Sequence, residues 1–304
     1  MSESDQPLAW RLRSIVGEEN VFADEAMSEH TTFKVGGPAD LFVTPEDPDE
    51  VREVLLACDE AGVSRFVMGR GSDLLVSDDG YRGVIVSLAE CLVGVSMDGT
   101  EMTCQAGVDL REASEMACEL GLSGLEFACG IPGSIGGACF MNAGAYGGCV
   151  ADVLKSVRVL LPDGSQETIG VDDLNLGYRR SRVASDGLVV LSATFALEKG
   201  DPEKIRATMD DLMRQREEKQ PLEMASAGST FKRPEGYFAG KLIMDAGLQG
   251  YRVGGAEVSR KHAGFVVNTG NATAADVHAV IEHVQDEVER QFGVRLEPEV
   301  RFLG

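Results

Sequence analysis

Residues Gly124 to Gly148 read GLEFACGIPGSIGGACFMNAGAYGG, and the rest of the chain is organised around them. Only Glu126 carries a charge there, while glycine recurs at 124, 130, 133, 136, 137, 144, 147 and 148. A segment so poor in charge belongs inside the protein or against a bound group. So many glycines destabilise a fold through chain entropy unless the backbone needs positive φ or must approach something closely. Turns explain some of them. A backbone shaped to lie against the phosphates and rings of a large ligand explains the density better, with free N–H groups binding in place of charged side chains.

The remainder of the 304-residue chain has the make-up of an ordinary globule, 43% apolar and 26% charged, and is long enough for two or three domains. The net charge of −22 argues against a nucleic-acid binder, which needs a basic face. Any anionic substrate must therefore be drawn by a local cluster of Arg and Lys. No run is long enough for a membrane span, and the opening MSESDQPLAWRLR lacks the apolar core of a signal peptide, so no membrane partner and a cytoplasmic location are expected. Cysteines at 58, 91, 104, 118, 129, 139 and 149 form no CxxC pair and no zinc spacing, and none of the four histidines lies near them. Reduced, buried thiols and no metal site are expected.

Along the chain, HTTFKVGGPADLFVTP (30–45) is expected to form strand, turn and strand. A helix follows, capped by Asp47, with Pro48 first, Glu50 completing a capping box, Val51, Val54, Leu55 and Cys58 as its buried stripe, and Gly62 as its stop. A short buried strand, RFVM (65–68), opens into Gly69-Arg70-Gly71-Ser72-Asp73-Leu74. The third glycine and the helix of a Rossmann unit are missing, which leaves a tight loop offering N–H groups and the Ser72 hydroxyl to a pyrophosphate. Hairpins are expected to turn at Asp98-Gly99 and Asp163-Gly164, with a helix from Asp109 to Gly121. Arg179, Arg180 and Arg182 make a candidate anion site, or else a solvated loop paired with Asp172 and Asp173. After the strand LVVLSATFAL (188–197) the texture changes at Asp201-Pro202, where a long charged helix begins and a domain boundary is expected. AGSTFKRP (227–234), a strand ending at Asn268, a helix from Thr273 to Gly293 and an alternating terminal strand, Leu296 to Phe302, complete the reading.

No Gly-x-Ser-x-Gly elbow, Walker loop or HExxH occurs. In order and spacing, however, TTFKVGGPAD, GRGSDLLV, GIPGSIGGACFMNAGAYG, GYRRSR, AGSTFKRPEGYFAGKLI, VSRKHAGFVVN and EPEVRF resemble the UDP-N-acetylenolpyruvoylglucosamine reductases (the MurB family), in the shorter of its two subtypes. The resemblance runs from about residue 30 to 303. It implies an α+β fold: a PCMH, vanillyl-alcohol-oxidase-like FAD-binding domain at 1–200, in lobes of about 1–68 and 69–200, and a smaller α+β UDP-sugar domain at 201–304 whose terminal strand returns to the active site. It also implies non-covalent FAD, NADPH as co-substrate, and small-molecule partners from the cytoplasmic stage of peptidoglycan and cell-wall synthesis.

The resemblance further implies individual roles. Arg179, fixed in register by the preceding Tyr178 against its rivals Arg180 and Arg182, meets the negative charge that develops beside the substrate carboxylate. Ser229 donates the proton, and Glu299, preceding Val-Arg as the motif requires where Glu297 does not, assists it. Tyr178, Lys232 and Arg233 face the UDP-sugar. Gly69 to Leu74, Gly130, Ile131, Pro132, Gly133, Ser134, Gly136 and Gly137 lie by the FAD pyrophosphate. Asn142, Gly144, Ala145, Tyr146 and Val190 continue along the cofactor. Asp73 stands where the family usually has Asn, a carboxylate that cannot donate to phosphate and that turns outward or caps an N–H instead. Two alternatives stay open: another flavin oxidoreductase of the same cofactor fold, which leaves GSTFKRP and EPEVRF unexplained, and a silent nucleotide-sugar binder, against which the retention of Arg179, Ser229 and Glu299 speaks.

Overall fold

The computed structural model describes residues 5–304. Met1 to Ser4, the start of the expected first domain, lie outside the described residues. The chain divides into two compact units, each assembled from separated segments. Unit 1 holds the residues up to Phe22, Leu41–Arg70 and Gly83–Arg216, and unit 2 holds Ala23–Asp40, Gly71–Arg82 and Glu217–Gly304. These units differ from the expected contiguous ranges 1–200 and 201–304. The change of composition at Asp201 marks the start of a helix, and most of that helix belongs to unit 1.

The α-helices of unit 1 among the described residues are α1 (Asp5–Val16), α2 (Pro48–Ala61), α3 (Leu110–Glu119), α4 (Ile135–Met141), α5 (Arg182–Ser185) and α6 (Pro202–Lys219, its residues through Arg216). Helix α2 follows its sequence signals closely. Asp47 accepts from the N–H groups of Asp49 and Glu50, Pro48 starts the helix, and Gly62 ends it at φ 65°. Glu50 reaches back to the N–H of Glu46 instead of that of Asp47. An antiparallel five-stranded sheet runs in the order Gln166–Gly170, Leu154–Leu160, Val189–Ala196, Glu101–Gln105, Val95–Asp98. Its two edge hairpins turn where Asp98-Gly99 and Asp163-Gly164 predicted. Arg65–Met68 pairs in parallel with Val84–Ser87. The core is the alternate, apolar face of these strands, with Val157, Val159, Ala193, Phe195, Met102 and Cys104 at 0–1% exposure.

Unit 2 has helices α7 (Ala239–Asp245) and α8 (Ala274–Phe292) and an antiparallel sheet in the order Arg252–Val253, Ala256–Val258, Val266–Asn268. Val277, Val280, Ile281, Val284 and Val288 form the buried face of α8. Asp78 adds a second cap to α8, accepting from Ala274 and Ala275 at 2.7 and 2.9 Å. Two expectations change here. Residues 30–37 form no strand: Phe33 and Val35 are buried from an irregular loop in which Lys34 has φ 55°, and only Pro38–Val43 is extended. The terminal strand is short, Arg301–Leu303, parallel to Leu74–Val76, and Phe302 is 46% exposed with its ring edge-on to His278. Asn268 ties the loop to the sheet, donating to Phe33 O at 3.0 Å. Among the described residues no helix is long and apolar enough to cross a membrane.

Candidate functional site

In unit 1 the glycine-dense stretch folds as a loop, Gly130–Ser134, then α4, then a tight two-stranded turn pairing Gly144–Ala145 with Gly148–Cys149. Much of its glycine content serves close approach within the chain. A Cβ at Gly69 would sit 2.1 Å from Ser134 Oγ, one at Gly136 3.1 Å from Ala106 Cβ, and one at Gly144 2.6 Å from Gly148 O. The N–H groups after the loop are also committed. Ile135 donates to Val108 O and Gly136 to Ala106 O, both at 2.9 Å, and Gly137 donates to the Ser134 hydroxyl at 3.4 Å. Ile131 donates to Ala128 O. The expectation that free backbone N–H groups carry the phosphates therefore has to be supplemented by side chains.

Those side chains are present. Arg70 lies 3.3 Å and Arg111 3.6 Å from the carboxylate of Asp109, which pairs backbone-to-backbone with Ser134. A third cation, Arg216, packs on Gly130. A cationic donor set around a glycine loop, with the half-exposed Tyr146 held at φ 55° beyond it, suits a dinucleotide with an anionic centre and an aromatic ring system. Val190 is buried in the sheet beside this stretch's core.

Asn142, expected along the cofactor, also acts as a brace. Buried and left-handed (φ 46°), it accepts from Ala151 N at 2.9 Å and donates to Gly177 O at 3.1 Å. It thereby fixes the start of the GYRR turn. Gly177 and Arg180 exchange both backbone hydrogen bonds, at 2.9 and 3.2 Å, so Tyr178 and Arg179 form the two-residue tip. Arg179 sits at φ 52°, a conformation unfavourable to a side chain, with its guanidinium 5.2 Å from the Tyr178 ring centre. Beyond the turn Ser181, 1% exposed, donates to Phe140 O on α4 at 2.6 Å. Arg182 pairs with Asp186 at 2.8 Å.

In unit 2, the segments that carry Ser229 and Glu299 are paired through their backbones. Phe231 bridges Pro298, Glu299 N donates to Thr230 O at 2.8 Å, and Lys232 N donates to Glu297 O at 2.9 Å. Ser229 is exposed, next to Gly228 at φ 72°. Thr230, at 0% exposure, holds the arrangement: its N–H donates to Gly264 O at 2.8 Å and its hydroxyl accepts from Val266 N at 2.9 Å. Nothing in the local sequence marks it. His262 supports the same loop, its Nδ1 accepting from Gly264 N at 3.1 Å, and burial lowers its pKa below 6.5. Lys232 faces Glu297 at 3.3 Å, and the Arg233 guanidinium lies 4.0 Å from the Phe238 ring centre. Gly71, at φ 60°, belongs to this unit and lies against His30 O, where a Cβ would come within 2.1 Å. Asp73 is half-buried, not turned outward. Its carbonyl accepts from Arg301 N at 3.0 Å, and its negative charge faces the partly desolvated Arg301 guanidinium.

The seven cysteines are all free thiols, and burial pushes Cys104 and Cys139 up to about 12 and Cys58 to about 11.

A family model described as UDP-N-acetylenolpyruvoylglucosamine reductase, C-terminal domain, matches residues 220–303, and an FAD binding domain model matches residues 39–170. The chain is 53% identical over 287 residues to the UDP-N-acetylenolpyruvoylglucosamine reductase of Clostridium beijerinckii, covering 94% of each chain. It is 50% identical over 302 residues to that of Geobacillus kaustophilus, covering 99% of each. Among solved structures, the UDP-N-acetylenolpyruvylglucosamine reductase MurB of Thermus caldophilus superposes with a TM-score of 0.79 at 34% identity, over 92% of this chain and 97% of that one. The expected α+β fold with a PCMH-like FAD-binding domain is thereby established. The chain belongs to the family of UDP-N-acetylenolpyruvoylglucosamine reductases and is an FAD-dependent oxidoreductase.

Proposed function

We propose that this chain catalyses the NADPH-dependent reduction of UDP-N-acetylenolpyruvoylglucosamine to UDP-N-acetylmuramate, a step of peptidoglycan precursor synthesis. The reading needs only small-molecule partners and a cytoplasmic setting. FAD, when bound, supplies the capacity to take a hydride from NADPH and release it to an electron-poor alkene. The chain's own residues manage the charge and the proton that follow.

Addition of hydride at the enolpyruvyl β-carbon leaves an electron pair on the α-carbon, conjugated with the substrate carboxylate. A permanently charged guanidinium is suited to that charge, and Arg179, carried on a strained, braced turn, is assigned to it. The α-carbon then takes a proton. Ser229 is the assigned donor, and because an alcohol is a weak acid it needs a partner that hydrogen-bonds to it and restores its proton. Glu299 is the assigned partner. Arg233 and Tyr178 are assigned to the UDP-sugar, as is Lys232 once it yields its pairing with Glu297.

One observation carries the assignment: the 2.8 Å bond from Glu299 N to Thr230 O sets the Glu299 segment alongside the residue that follows Ser229. The test is direct. Purified protein should be yellow with releasable FAD, and NADPH oxidation should require the enolpyruvyl UDP-sugar. A protein that binds the sugar but no flavin, or that consumes NADPH equally well without the sugar, contradicts the proposal.

A further inference from the structure

Helix α6 turns Ile205, Met209, Leu212 and Met213 toward an apolar cluster that includes Cys118 and Cys129. One turn further on the same face, the helical period calls for another apolar residue. The chain has Arg216 there, 8% exposed. Among the described residues no carboxylate pairs with it. The groups whose charge it feels are Tyr146, Cys129 and another cation, Arg111. A buried cation without a counter-charge destabilises a fold, so its retention at a core position points to a ligand.

The place is specific. A Cβ on Gly130 would lie 2.7 Å from Arg216 Cδ and 3.3 Å from its Nε, so the side chain rests on the backbone of the Gly130–Ser134 loop. Arg70 and Arg111 approach the same loop through Asp109. Asp109 is occupied, since it also caps α3 by accepting from Arg111 N and Glu112 N. Nearby carboxylates are committed as well: Glu115 to Arg206, and Glu126 to Ser123 and Gly124. In a chain of net charge −22 this loop is surrounded by three arginines and one spent carboxylate.

We propose that Arg216 is the buried counter-charge for the diphosphate of a dinucleotide bound at the Gly130–Ser134 loop. This rests on the reading of that loop as a cofactor cradle. FAD and NADPH both carry a diphosphate, and the test separates them.

Flavin-free wild type, Arg216→Met and Arg216→Lys are compared by thermal melting and by FAD titration, following flavin fluorescence at two salt concentrations. NADPH binding is measured on the flavin-loaded proteins. The Met variant, with a similar volume and no charge, should melt at or above wild type while its FAD dissociation constant rises about 10- to 100-fold, as expected for loss of a charge-assisted hydrogen bond. Its affinity should also depend less on salt. The Lys variant should fall between the two, and it carries the test alone if the Met variant does not fold. Unchanged FAD affinity with a comparable loss of NADPH binding assigns the same site to the NADPH diphosphate. If both ligands bind as in wild type, the proposal is overturned and Arg216 is only structural. A wild-type chain that takes up no flavin removes the underlying reading, and the proposal with it.

Discussion

Replacing Thr230 by Val tests how the segment proposed to deliver the proton is held. The two side chains have nearly the same shape, so no cavity opens, and the backbone bonds to Gly264 O and from Glu299 N remain available. What disappears is the acceptor for Val266 N–H, 2.9 Å away at a residue with no solvent exposure. Stranding a buried donor costs about 1–3 kcal/mol. At about 2–4 °C per kcal/mol for a chain of this size, melting should fall by several degrees. Thr230→Ser keeps the acceptor and loses one buried methyl, about 0.8 kcal/mol. Catalysis should separate the two variants more sharply. If the strand carrying Val266 anchors Ser229, stopped-flow transfer to the enolpyruvyl substrate should slow about tenfold in the Val variant, near 1.4 kcal/mol in the barrier. Reduction by NADPH should stay unchanged, and the Ser variant should recover. A Val variant that matches wild type in both melting and transfer refutes the reasoning.

Other positions give independent tests. Gly69→Ala puts a Cβ 2.1 Å from Ser134 Oγ and must break that residue's cap on α4, lowering stability by about 1 kcal/mol or more; adding Ser134→Gly should restore part of the loss in a thermal melt. At Arg179, φ 52°, both Ala and Gly should abolish efficient turnover, but the Gly variant should be more stable than the Ala variant by about 1 kcal/mol in denaturant unfolding. His262 has a folded pKa below its ordinary 6.5, so the unfolded chain protonates first; stability present above pH 6.5 is lost as the pH falls through the folded value, and His262→Gln should flatten that acid limb in pH-dependent melts.

What the sequence made legible follows from how local each signal is. Helices α2 and α8 were readable end to end because Asp47, Gly62, Thr273 and Gly293 act on their immediate neighbours. The two Asp-Gly hairpins were readable for the same reason. Residues 30–37 carry the β-branched and aromatic composition of a strand, yet Phe33 and Val35 are buried from a loop held by long-range contacts such as Asn268 to Phe33 O. The exchange of segments between the two units left no local mark, since the texture change at Asp201 announces only the solvent face of α6. At the site, motif resemblance named Arg179, Ser229 and Glu299 but not their supports. Thr230 and Asn142 act through single hydrogen bonds to residues distant in sequence. Arg216 was visible in principle, as a charge where the α6 stripe of Ile205, Met209 and Met213 demands an apolar residue.

Delivery of the proton by Ser229 is the proposed step on which the mechanism turns, and Ser229→Ala isolates it. The two half-reactions are followed by stopped-flow absorbance of the bound flavin, first with NADPH and then with UDP-N-acetylenolpyruvoylglucosamine. Flavin reduction by NADPH should stay close to the wild-type rate, and reoxidation by the enolpyruvyl substrate should slow by orders of magnitude. Equal slowing of both half-reactions, or wild-type reoxidation, would contradict it.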